Sequence, residues 1–103
     1  NKDDLLRVLL EPKNSLIKQY QKLFLLEGVV LEFEKGALSQ IVDKAYNKKS
    51  GARGLRSVME ESLMDVMYKI PDQKNLDRVT ITEGFIKNKS EPIYKIGDNK
   101  KTA

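Results

Sequence analysis

The chain has 103 residues, 40% of them apolar and 33% charged, which bounds it to one small soluble domain with a modest core and argues against general disorder. Nineteen Lys and Arg against fifteen Asp and Glu leave a net charge of +4, a bias common to basic domains that by itself names no partner. Cysteine and histidine are both absent, which removes disulfides, thiolate and imidazole metal sites and every catalytic arrangement built on Cys or His.

Asp3 and Asp4 precede Leu5, Leu6, Val8, Leu9 and Leu10, predicting a short helix that Pro12 stops or kinks. The amino end lacks the cationic start and long apolar run of an export signal, and no apolar run is long enough to span a membrane; cytoplasm is the default expectation. Asn14 or Ser15 caps a second helix with Leu16, Tyr20, Leu23 and Phe24 on one stripe and Gly28 beyond its end. "VVLEF" at Val29–Phe33 is β-branched and aromatic, the signature of a short strand. Leu38, Ile41, Val42, Ala45 and Tyr46 repeat at helical spacing, ending near Asn47–Lys49.

The longest predicted helix begins at Ser50 as N-cap and carries Leu55, Val58, Met59, Leu63, Val66, Met67 and Ile70 on one stripe up to Pro71. That stripe reads as core, not as a binding groove. "RVTIT" at Arg78–Thr82 alternates as a second strand, "EGFI" is a helical turn, and "PIYKI" at Pro92–Ile96 is a third strand. Residues 97–103, "GDNKKTA", form a loose polar tail. The expected architecture is α+β, three to four helices on one face of a small three-stranded sheet, with the domain over residues 1–96 and a flexible tail over 97–103.

One segment, "KKSGARGLRS", runs against an electrostatic rule. Arg53 falls in the first turn of the long helix, where partial positive charge favours acids. Lys44, Lys48, Lys49, Arg53 and Arg56 make this interval basic with no acid inside it. Without aromatic stacking groups or a recognition helix, nucleic acid is not the expected partner, and the lysines read as a solvated face. Arg56 has Glu60 four residues on, a spacing that predicts a weak helical pair. Arg53 has no acid three or four residues away. Either it holds a phosphate beside the helix N-terminus, or it bridges to a distant carboxylate. Adjacent Glu60 and Glu61 point in different directions on a helix and make a poor acid/base pair. No phosphate-cradling glycine loop occurs, and no hydrophobic run ends in paired acids for magnesium.

"GARGLRS", together with "EPKNSLIKQYQKLF" and "VVLEF" upstream, resembles the carboxy-terminal small domain of the ClpX family of AAA+ protein-unfolding ATPases, from about Asp3 to Ile96. The resemblance implies an AAA+ lid domain in which Arg53 is the sensor 2 residue contacting the terminal phosphates of ATP, with Gly51 and Ala52 beside it as further nucleotide-binding candidates. It implies that ATP and magnesium belong to a longer parent and zinc to an amino-terminal domain outside this chain. The implied partners are large AAA+ domains of the same and neighbouring subunits in a hexameric ring, the ClpP peptidase through regions outside this chain, and protein substrates. By the same resemblance the chain is a fragment beginning just after the hinge between large and small domains, and it lacks the Walker motifs needed to hydrolyse ATP alone. "GAR" before an apolar helix is shared with HslU-type unfoldases. Those tend to carry a longer insertion before it and a hydrophobic carboxy terminus, whereas here Tyr46 runs directly to Gly51 and the tail is polar. The alternatives are therefore an HslU-type small domain and a stand-alone basic module binding nucleic acid or acidic protein.

Overall fold

The structure, a computed structural model, describes residues 2–10, 15–49, 52–70 and 75–96. The expected breaks at Pro12 and Pro71, the Ser50 cap and the 97–103 tail lie outside them. The order is α1 (Lys2–Leu10), α2 (Leu16–Leu26), β1 (Val30–Phe33), α3 (Lys35–Lys48), α4 (Ala52–Lys69), β2 (Leu76–Ile81), α5 (Glu83–Ile86) and β3 (Ile93–Ile96). The α+β class matches expectation, with five helices among the described residues where three or four were expected; the additional one is the single turn α5.

Local chemistry accounts for the element ends. Ser15 is the N-cap of α2, and its hydroxyl accepts a hydrogen bond from the Lys18 amide at 3.1 Å. Helix α2 ends in a Schellman motif, with the Gly28 amide donating to the Leu25 carbonyl and the Val29 amide to that of Phe24. Gly28 supplies the left-handed conformation this closure needs, with φ 77°. Lys49 ends α3 in the same region, with φ 57°. Thr82 caps α5 by accepting from the Phe85 amide at 3.1 Å. Replacing Ser15, itself buried, with Ala should cost about 1 kcal/mol. Thermal unfolding followed by circular dichroism should show a melting temperature roughly 4–8 °C lower.

The sheet has the order β1-β2-β3. Strands β1 and β2 are parallel, with Leu31 opposite Val79 and Phe33 opposite Ile81, so α3 and α4 form the crossover that parallel pairing requires. Strand β3 returns antiparallel, with Tyr94 opposite Val79. Leu31, Val79 and Ile81 are buried, with Phe33 and Tyr94 packed against them. The other face pairs Glu32 with Arg78 at 2.7 Å. Helices therefore cover one face, as the alternation of the strands dictates.

On α4, Leu55, Val58, Met59, Leu63 and Val66 are all buried, each stabilising the fold by roughly 1.5–3 kcal/mol relative to exposure. Three residues assigned to core stripes are on the surface instead: Leu23 is 45% exposed, Tyr46 47% and Met67 37%. Each is next in sequence to a buried residue (Phe24, Ala45 and Val66). A one-residue step rotates a side chain about 100° around the helix, which carries it off the buried stripe.

Lys2 bridges α1 and α3. Its ammonium lies 3.1 Å from Asp43 and 5.4 Å from the centre of the Tyr46 ring. This exposed pair adds little to the packing of α1 on α3; that packing, with Leu16 opening α2 next to it, shapes the groove described below.

Candidate functional site

Helix α4 carries Arg53 at its second residue and Arg56 one turn later, both exposed. They line one side of an open groove of about 420 Å³, together with Ser57 and Glu60 from the same helix, Val8 from α1 and Leu16 from α2. The two arginines and the carboxylate thus share a concave surface with an apolar wall. Ala52 starts α4; Gly51 lies outside the described residues, as does the side chain of Ala52.

The charge pairing differs from what sequence spacing suggests. Lys48 reaches Glu61 at 3.5 Å across the α3–α4 junction, so one lysine of the basic interval has a partner that local spacing did not supply. The expected Arg56–Glu60 pair is absent: among the described residues no ion pair within 4.0 Å involves Arg53, Arg56 or Glu60. An exposed i, i+4 pair contributes only a few tenths of a kcal/mol, so it forms at some positions, as between Lys87 and Glu83 at 2.8 Å, and not at others. The distant carboxylate considered for Arg53 is likewise not found among the described residues.

Tyr20 on α2 faces the same charges. Burial pushes its phenol above the usual range, the Glu60 carboxylate adds to that rise, and the Arg56 guanidinium opposes it. Arg56 and Glu60 are therefore both close enough to α2 for their fields to act there. Tyr94 is raised for a similar leading reason, burial, with Lys69 opposing and Glu91 adding to it.

Val8, Leu16 and Ser57 were not anticipated as groove residues. Their apolar or small side chains carry no local signal, and only the approach of α1 and α2 to α4 brings them beside Arg53. Glu60 and Glu61 do point apart, toward the groove and toward Lys48 respectively.

A second surface lies beyond Tyr20. Tyr20, Met64, Met67 and Tyr68 line a depression of about 400 Å³, and Leu23, Leu26 and Met67 line a neighbouring one of about 280 Å³. Tyr68 is 80% exposed. Met67 belongs to both depressions, which makes the apolar surface across α2 and α4 continuous.

A family model of the C-terminal, D2-small domain of ClpB protein matches residues 1–82. The chain belongs to that family. The D2-small match covers α1 through β2 and therefore the whole Arg53 groove. Among curated relatives, the chain is 44% identical over 97 residues to the ATP-dependent Clp protease ATP-binding subunit ClpX of Borrelia duttonii (strain Ly), an alignment covering 93% of this chain and 23% of that protein. It is 45% identical over 93 residues to the ATP-dependent Clp protease ATP-binding subunit ClpX 2 of Wolinella succinogenes, covering 90% of this chain and 23% of that protein. The chain thus spans about a quarter of the length of these relatives, and the resemblance to the carboxy-terminal small domain of ClpX stands on nearly all of its residues. No helix among the described residues is long and apolar enough to cross a membrane.

Proposed function

We propose that this domain is the lid of an ATP-dependent, cytoplasmic protein unfoldase that feeds a ClpP peptidase, with Arg53 as its sensor 2 residue. The observation that carries this reading is the position of Arg53: exposed, on an open groove, and without a carboxylate among the described residues. A guanidinium left free in this way presents a planar fork of donors suited to two phosphate oxygens. Gly51 and Ala52, immediately before it in the sequence, are further nucleotide-binding candidates in this reading.

The groove suits the phosphate end of ATP, with cations on one wall and apolar side chains on the other. Magnesium and the groups that activate water would come from a large AAA+ domain, since this chain has no phosphate loop. When bound, ATP supplies the terminal phosphates that distinguish one state from the other. Arg53 contacts them in the closed arrangement and loses the contact in the open one. Only such a differential contact can bias a hinge. The exposed apolar surface formed by Leu23, Leu26, Met64, Met67 and Tyr68 offers a face for the large domain of a neighbouring subunit in a hexameric ring.

Arg53→Lys in the full-length protein tests the reading. The domain should melt within about 0.5 kcal/mol of the unaltered protein, as exposed positions do. ATP-dependent unfolding should fall by about tenfold or more, because lysine keeps the charge but loses the fork. A destabilised domain in a motor that still unfolds its substrates at the normal rate would retire the assignment.

A further inference from the structure

We infer that Arg56 is a second phosphate-contacting cation of the same groove, so that the nucleotide's phosphate chain meets two guanidiniums on α4. This rests on the reading of Arg53 as a phosphate contact and extends it to a residue whose helical spacing suggests only a structural pair. Arg56 lies one turn beyond Arg53, and both line the groove, about 4.5 Å apart along the helix axis.

Lys2, Lys48, Lys69, Arg78 and Lys87 each have a carboxylate within 4.0 Å. Arg53 and Arg56 have none among the described residues, although Glu60 lines the same groove one turn from Arg56. That lack is shared among the described residues with Arg7, Lys22, Lys35, Lys44, Lys49, Lys89 and Lys95; what sets the two arginines apart is that both line the same groove. The guanidinium of Arg56 therefore keeps its donors available on the side where Arg53 presents its own.

The groove also has a direction. Both arginines stand toward the start of α4 and Glu60 farther along it, with Val8 and Leu16 from the adjoining helices. A polyanion is drawn to the arginine end and repelled from the carboxylate end. The apolar wall reduces solvent screening and strengthens both effects. A phosphate chain carries more negative charge than one guanidinium neutralises, and a second arginine one turn away supplies further charge-assisted hydrogen bonds.

Binding of a non-hydrolysable ATP analogue, ADP and AMP to the full-length protein, compared among Arg53→Lys, Arg56→Ala and Arg56→Lys, tests the inference. Arg56→Ala should weaken the ATP analogue by about tenfold, ADP less, and AMP by no more than about twofold, since the loss follows the phosphates and not the nucleoside. Arg56→Lys should fall between Arg56→Ala and the unaltered protein, because it retains the charge without the fork. Weakened binding in Arg53→Lys with all three ligands unchanged in Arg56→Ala would overturn this inference and leave the proposed function standing. Unchanged binding in both arginine variants would overturn both. Equal losses for all three ligands, accompanied by a lower melting temperature in Arg56→Ala and Arg56→Lys alike, would assign Arg56 to the fold and overturn the inference.

Discussion

Phe24→Ala is expected to remove about 3–5 kcal/mol of stability, a large share of the roughly 5–15 kcal/mol available to a domain of this size. Phe24 is 1% exposed and lies in the core cluster. Its carbonyl accepts the Val29 amide that closes α2 onto β1, and Val29 is also buried. Truncation leaves a cavity where the helix end and the strand start are joined. Urea unfolding of the 103-residue chain should show a lower midpoint with an unchanged slope, the signature of lost stability in an intact fold. A loss below about 1 kcal/mol would mean that α2 does not pack through Phe24.

Val79→Asp should leave no cooperatively folded population at 25 °C. Val79 is fully buried in the central strand β2, with Leu31 opposite on one side and Tyr94 on the other. Among the described residues no buried cation is available to pair with a carboxylate there, and an uncompensated buried charge costs several kcal/mol, comparable to the whole stability of the domain. Thr80→Asp is the matched control. The next side chain along a strand points to the opposite face, and Thr80 is half-buried on the face that carries Glu32 and Arg78, so the change should cost about 1 kcal/mol or less. Amide resonance dispersion and circular dichroism on the two variants would show it; a folded Val79→Asp would contradict the facing of β2.

Most elements were legible because their signals are local. Ser15 and Gly28 begin and end α2 through hydrogen bonds to residues within a few positions, whereas Thr82, expected as the last residue of a strand, is instead the cap of α5. The apolar periods of α3 and α4 and the alternation of β2 need no knowledge of what lies opposite. Leu23, Tyr46 and Met67 show the limit of the same reasoning. An apolar residue at the margin of a stripe fits the helical period equally well whether a neighbouring element covers it or not, and here none covers it fully.

The site divides in the same way. Arg53 stood out in the sequence because it violates the charge preference of a first helical turn and has no acid at helical spacing. "GARGLRS" and the segments before it carried the family resemblance. The sequence by itself thus determined the fold class, the order of the elements and the residue most at odds with its local surroundings, all properties of neighbouring residues along one chain. Only the tertiary structure decided that Lys48 meets Glu61, that Arg56 stands apart from Glu60, and that Val8 and Leu16 wall the arginine groove. Those outcomes depend on how α1, α2 and α3 come to rest against α4, and an exposed helical ion pair is too weak to settle any of them before the helices have packed.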